Sequence, residues 1–316
     1  FNTGFELIVK NTDSIFINFN PCDNNGIPLK DKDGLQKAID MGVQAEEYIQ
    51  QFLKAPHRLE YEKTFYPFIL FSKKRYIGYK FEHDVNKYTE TSMGIVTKRR
   101  DNAKIVKYVY KRVMDCLLKE KNLEKSIKTL QEDLRELLDG KFELNMLTIT
   151  KSLRGFYANP EQIAHKVLAD RMGERDPGNK PQSNDRIPYV YVETKIPKDG
   201  KILQGNRIEH PQYIIENSLK PDYSFYITNQ IMKPVGQIFS LIVETLPGFS
   251  KSNEYFKTRH KYYYNKYDQD EKKTINKVTD EKMIEVSKLV FGEILRKANN
   301  ARTKSREITD FFKIKN

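Results

Sequence analysis

Cysteine is almost missing from this chain: Cys22 and Cys116, far apart in sequence, are the only two among 316 residues. That scarcity excludes a cysteine-based zinc or iron–sulfur module and leaves no disulfide framework, which fits a reducing compartment. Nor is there any run approaching the roughly 20 apolar residues that cross a bilayer, and the first residues lack the basic-then-apolar layout of a signal peptide. The expectation is a soluble intracellular protein without a membrane partner. No internal repeat of fixed period and no long low-complexity tract is present. Acidic residues are in deficit, 43 against 55 Lys and Arg, giving a net charge of +12 and a pI of about 9.3. Such a balance favours a polyanionic partner through counterion release, although a solvated basic surface gives the same composition. What the chain does have is 12% aromatic and 38% hydrophobic residues over a length sufficient for two lobes with their own cores. It opens on Phe1 rather than Met, as a piece cut from a longer product would.

Ser14 to Asn20 alternates apolar and polar residues as a strand does, and Pro21 to Gly26 reads as a loop. Leu35, Ala38, Ile39, Met41, Ala45, Tyr48, Ile49 and Phe52 recur near the helical period, so a helix is expected over Leu35 to Leu53, stopped by Pro56. Leu59 to Tyr66 alternates as a strand, with Glu60 and Glu62 on one face, and a strand pair from Phe68 to Phe81 follows Pro67. A helix beginning near Asn102 turns Val106, Val109, Val113 and Leu117 inward and Lys104, Lys107 and Lys111 outward. A hairpin, a long helix and further antiparallel strands describe an α+β fold rather than a doubly wound sheet.

Several segments carry a family resemblance. Asn11-Thr12-Asp13-Ser14 with Ile15 and Phe16 resembles the second half of the Asp-Thr-Asp-Ser turn in the palm of B-family DNA polymerases. There two carboxylates hold the metal ions for nucleotidyl transfer; here the first is missing. The preceding Phe1 to Asn11 looks like the last eleven residues of an intein, with Asn11 the residue that cyclises and Thr12 the hydroxyl that accepts the upstream segment. Lys10 stands where such elements usually have His. The other reading is a polymerase turn whose first Asp has become Asn11.

Leu70 to Gly78 is similar to the family's Lys-Lys-Arg-Tyr-x-Gly element beside the duplex, which implies DNA contacts by Lys73, Lys74, Arg75 and Tyr76. Adjacent cations on a strand alternate between faces, so two of the three could reach one phosphate row; a solvated basic edge strand is the alternative. Glu62 matches an acidic residue near the polymerase centre, or is an ordinary surface glutamate. Met93-Gly94 through Lys98-Arg99-Arg100-Asp101 resembles the Lys-Gly-x-x-x-x-Arg-Arg-Asp segment ending the palm, with Met93 in place of Lys. Lys98, Arg99 and Arg100 are candidate phosphate contacts there.

From Ser152, Tyr157 to Pro160, Ala164 to Ala169 and Arg171-Met172 to Asn184 to Val190, His210 to Tyr213, Tyr226 to Ile231 and Pro234-Val235, the second half follows the family's thumb in order. Lys151, Arg154 and Lys166 are its candidate phosphate ligands, with Arg186 a brace for the fold and His165 a packed helix residue without a metal partner. Asp170 to Lys180 is similar to polymerases of large DNA viruses, which implies a viral source. Cellular relatives end in cysteine-rich metal modules; this chain ends in Ser305 to Phe312, which resembles the clamp-binding box, with Ser305 for the usual Gln. Ile308, Phe311 and Phe312 would plug an apolar pocket on a PCNA-like sliding clamp, or fold back on the thumb.

The resemblance therefore implies an intein remnant at 1–11, the end of the palm at 12–110, a mostly helical thumb at 111–304 and a clamp-binding tail at 305–316. It implies two Mg2+ ions shared between Asp13 and upstream carboxylates, and primer–template DNA and deoxynucleoside triphosphates as substrates. The N-terminal part of the polymerase is a partner, and the host nucleus or a cytoplasmic viral replication site the location. Two other readings stay open: a non-catalytic DNA- and clamp-binding relative, and one half of a split polymerase joined by trans-splicing.

Overall fold

The computed structural model describes residues 6–10, 14–96, 102–194, 202–252 and 254–303. The chain divides into two compact units, Phe1–Lys98 and Arg99–Asn316, and its small antiparallel sheets and helices make it α+β.

In the first unit, β1 (Glu6–Lys10) and β2 (Ile15–Asn18) pair as an antiparallel hairpin in which Lys10 faces Ile15. Helix α1 (Asp31–Gln50) starts four residues before the expected Leu35, with Asp31 and Asp33 in its first turn complementing the helix dipole. It ends at Gln50, ahead of the expected Leu53. Its buried stripe is Gly34, Leu35, Ile39 and Gly42. Tyr48 and Phe52, expected to face inward, are 64% and 68% exposed and meet each other edge to face at 5.2 Å.

A three-stranded antiparallel sheet, ordered β3 (Thr64–Ser72), β4 (Arg75–Phe81), β5 (Thr89–Met93), forms the rest. Pro67 does not separate two strands as expected: β3 runs through it. The register shifts between Phe65 and Phe68, so the proline falls where its missing N–H breaks no ladder bond. The strand expected from Leu59 is absent over 59–63 for an equally local reason. The Leu59 and Tyr61 amides donate to side chains of α1, to Gln50 Oε1 at 3.3 Å and Glu46 Oε2 at 2.7 Å, instead of to a sheet. Glu60 and Glu62 therefore share no strand face. Phe16 of β2 joins Phe65, Phe68 and Tyr76, with ring centroids 4.9–6.1 Å apart, and this aromatic cluster fastens the hairpin to the sheet.

In the second unit, α2 (Lys104–Leu118) packs on α3 (Leu123–Leu138) through Val106, Val109, Val113, Leu130, Leu134 and Leu137, all fully buried. Leu117, expected inside, is half-buried, and Cys116 and Leu118 on either side of it are buried. The Asn122 side chain caps α3 by accepting from the Lys125 amide at 2.9 Å. The chain continues as α4 (Leu144–Leu147), β6 (Ile149–Ser152), α5 (Ala164–Arg175), β7 (Arg186–Tyr191), β8 (Ile208–Glu209), α6 (Pro211–Glu216) and α7 (Tyr223–Phe225). Then come a π-helical turn at Tyr226–Ile231, α8 (Met232–Leu241), α9 (Tyr255–Lys266), α10 (Glu271–Val286), a second π-helical turn at Ser287–Phe291 and α11 (Gly292–Thr303). β7 lies between β6 and β8. Fully buried Tyr226 pins this sheet to the helices: its hydroxyl donates to Leu147 O at 2.7 Å and accepts from the Tyr191 amide at 3.1 Å. The last helix returns to α3, where Arg135 meets Glu293 at 3.2 Å.

Candidate nucleic-acid interface

The basic element at 73–75 is a hairpin turn, not a run of strand. Ser72 pairs with Arg75 across the sheet, so Lys73 and Lys74 form the two-residue connection and both are exposed. This corrects the expected alternation of three strand cations, since only Arg75 belongs to a strand. Arg75 lies half-buried, its guanidinium 5.8 Å from the Phe71 ring centroid, and Tyr76 belongs to the aromatic cluster. Lys74 takes a left-handed backbone with φ 61°.

Two motifs distant in sequence meet here. Met93 pairs with Tyr76, and the next residue, Gly94 (φ 62°), passes so close that an added Cβ would stand 2.2 Å from the Lys74 carbonyl oxygen. A side chain at 94 would push the lysine turn out of place. Glu62 is exposed outside the sheet and pairs with its neighbour Lys63. Asn11, Thr12, Asp13, Lys98, Arg99, Arg100, Ile308, Phe311 and Phe312 lie outside the described residues.

In the second unit, β6 and the following loop gather a basic group. Lys151 and Arg154 are exposed, and between Arg154 and Tyr157 stands Phe156, 82% exposed. The loop is held from beneath. The Tyr157 hydroxyl accepts the Arg154 amide at 2.8 Å and lies 3.1 Å from His165 Nε2 on α5. Burial, and then the charge of Lys151, hold the His165 imidazole below its usual pKa, with Arg154 adding to the effect. His165 is thus a packed residue that supports the loop.

Lys166, one residue on, is engaged by Asp170 one helical turn away. Arg186 reaches the Thr150 carbonyl at 3.5 Å from the neighbouring strand. Arg171 and Arg175, both within the Asp170 to Lys180 segment, converge on buried Glu209 at 3.1 and 3.0 Å. Arg175 also stacks on Tyr213 at 3.7 Å. These contacts lock α5 to β8 and fix where His165 and Lys166 stand. Sequence periodicity carries no sign of that fork, because its partners are 34 residues or more apart.

Among the described residues no group of three or more His, Cys, Asp or Glu could hold a metal ion. The loop after β6 offers the cations Lys151 and Arg154 with the exposed ring of Phe156, a set for phosphates and sugars.

Residues 2–242 match the family described as DNA polymerase family B. The chain belongs to that family. It is 51% identical over 313 residues to a DNA polymerase of Pyramimonas orientalis virus, which covers 99% of this chain and 26% of that protein. Similarity to the DNA polymerase of Acanthamoeba polyphaga mimivirus is 49% over 242 residues, 76% of this chain and 14% of the relative. With the DNA polymerase delta catalytic subunit of Candida albicans it is 31% over 255 residues, 81% and 22% respectively. The family B chain thus spans about a quarter or less of the length of these relatives. No described helix is long and apolar enough to cross a membrane.

Proposed function

We propose that this chain is the C-terminal palm and thumb portion of a replicative, virus-type DNA-directed DNA polymerase, with the palm ending near residue 110 and the thumb beyond. The observation that carries the reading is the alignment of 313 of its residues, at 51% identity, with a viral DNA polymerase. The geometry supports it in the exposed Lys73–Lys74 turn backed by Gly94 and in the basic loop at Lys151 and Arg154. Both suit phosphate contacts that position a primer–template duplex without reading its sequence.

In the complete enzyme two Mg2+ ions, held by Asp13 with carboxylates from the N-terminal part of the polymerase, would activate the primer 3′ hydroxyl and steady the triphosphate leaving group. The described residues offer no such site, and no step of the transfer is assigned to them. The tail with Ile308, Phe311 and Phe312 is the proposed dock for a PCNA-like sliding clamp, and the working place a viral replication site in nucleus or cytoplasm.

For the N-terminal edge, the proposed intein junction at Asn11 and Thr12 competes with a second reading that two observations favour. β1 and β2 pair directly as a hairpin, and the family match begins at residue 2, as for a polymerase turn in which Asn11 replaces the first Asp. Peptide mapping of the product of the whole reading frame separates the two. Thr12 joined to an upstream Asp establishes splicing; an intact Lys10-Asn11-Thr12 peptide favours the altered turn.

The purified chain should bind a primer–template duplex and fail to extend the primer with deoxynucleoside triphosphates and Mg2+. Templated extension would overturn the inactivity of the isolated chain, and absence of duplex binding would overturn the palm–thumb reading itself.

A further inference from the structure

Helix α9 carries Lys257, Arg259, Lys261, Lys266 and His260 and not one Asp or Glu in its twelve residues. It lies beyond residue 242, where the family match ends. Its inner side is settled. Phe256 and Tyr263 are buried, Arg259 forks onto Glu281 of α10 with Nε–Oε2 at 2.9 Å, and the Tyr263 hydroxyl donates to the same carboxylate at 2.6 Å. His260 lies 3.1 Å from Glu271, and Lys251, just before the helix, 3.0 Å from Glu285. The inward-facing acids of α10 are therefore taken by other cations, and Arg259 holds the Glu281 carboxyl below its ordinary pKa.

The outer side has no such compensation. Steps of 3.6 residues per turn place 257, 261 and 265 on one ridge and 258, 262 and 266 on the next. All six are exposed: Lys257, Lys261 and Lys266 with Thr258, Asn265 and Tyr262, the last 51% exposed. Among the described residues none of the three lysines has an acidic partner; Lys266 Nζ stands 5.9 Å from the Tyr262 ring centroid. Lysines that elsewhere in the unit are paired, such as Lys125 with Glu120 or Lys220 with Glu193, show the contrast.

We propose that the outer face of α9 is an additional sequence-independent contact for the nucleic-acid backbone, separate from the Lys73–Lys74 turn and the Lys151–Arg154 loop. Three unneutralised ammonium groups in under three turns, interleaved with hydroxyl and amide donors, form a donor set for phosphate oxygens, and the Tyr262 ring between them carries Arg259 at 5.1 Å and Lys266 at 5.9 Å from its centroid. A nucleic-acid backbone, a regular row of phosphates along the 257–266 face, is favoured over an acidic protein by the family match to DNA polymerases. The proposal rests on the reading of the chain as a DNA-binding part of a polymerase.

The test is the salt dependence of binding between the 316-residue chain and a fluorescein-labelled 30-bp duplex, for the parent, the Lys257→Gln/Lys261→Gln/Lys266→Gln variant, and a charge-matched control. The control is Lys125→Gln/Lys220→Gln/Lys273→Gln, which removes three paired lysines. Each phosphate contact contributes about 0.9 to the slope of log affinity against log salt, so the α9 variant, which loses three, should lose about 2.7 in slope and about tenfold or more in affinity near physiological salt. The control should stay within about threefold of the parent, because an unspecific charge effect would move both variants alike. A parent that binds and an α9 variant that matches the control overturn the α9 contact and leave the polymerase reading standing. A parent that does not bind duplex overturns that reading and the α9 contact with it. Retained DNA affinity overturns the proposal also if the same lysines prove to hold poly-glutamate, the probe for an acidic protein partner.

Discussion

Lys74 holds a left-handed backbone, φ 61°, at the exposed tip of a two-residue turn. A side chain with a Cβ costs roughly 1 kcal/mol or more in that conformation, a cost that glycine does not bear. Lys74→Gly should leave thermal stability unchanged or raise it by a few degrees while weakening duplex binding several-fold. Calorimetry and a binding titration on the same sample check both; a glycine variant that lowers the melting temperature and keeps its affinity would refute the assignment. The sequence made Lys73 and Lys74 visible as a basic pair but not as a turn, because the register of β3 against β4 depends on Ser72 meeting Arg75 across the sheet. Tyr76 was legible as a motif residue, and only the structure shows its ring engaged with Phe16, Phe65 and Phe68. Phe156, the most exposed of the large apolar side chains among the described residues, carried no signal beyond its place between Arg154 and Tyr157.

At the scale of elements, the α2–α3 pair contains a titrating core. Asp133 on α3 is 1% exposed; Oδ1 accepts from Arg112 on α2 at 2.6 Å and Oδ2 has no hydrogen-bond partner. Burial pushes its pKa up to about 6 in spite of the guanidinium. Between the unfolded value of 3.8 and about 6 the folded protein keeps a proton that the unfolded chain has released, so this group's contribution to stability is full below pH 4 and is lost as pH rises to about 6. The loss is on the order of 3 kcal/mol. Asp133→Asn removes the titration. Its stability by urea denaturation, relative to the parent, should climb between pH 4 and pH 6 and then level off, and a difference constant from pH 4 to pH 7 would refute the burial argument. Helix periodicity foretold the inward valines of α2 because local spacing determines which side chains share a face. It misplaced Tyr48 and Phe52, since the last turn of α1 and the turn after it continue the apolar pattern at positions left exposed. Alternation over Leu59 to Lys63 likewise suggested a strand, while the amides found Gln50 and Glu46 instead. A polar side chain from a distant helix competing for a backbone donor leaves no trace in a short window of sequence.

At the scale of the whole chain, the second unit supplies its own interior. Val106, Val109, Val113, Leu130, Leu134, Leu137, Tyr226, Phe239 and Phe291 are fully buried and all belong to it. Residues 99–316 produced alone should therefore keep a helical far-ultraviolet spectrum and melt in one cooperative transition; a gradual, featureless melt would show that this core does not suffice. Family membership was legible because the segments that carry it keep their order along the chain, and the match over residues 2–242 bears that out. The helices after residue 242 have no counterpart in that match, and their arrangement, with Arg135 meeting Glu293 and Arg259 meeting Glu281, rests on pairs that only folding brings together. Charge told less. A net +12 is a sum, and it does not separate lysines already paired with carboxylates from those on α9 that are not.

The contact between Gly94 and the lysine turn has a genetic corollary. What a Cβ at 94 would strike is the main-chain oxygen of residue 74, and every amino acid possesses one. A defect caused by substitution of Gly94 is consequently not relieved by shortening the side chain at position 74; relief requires the backbone of the turn to move.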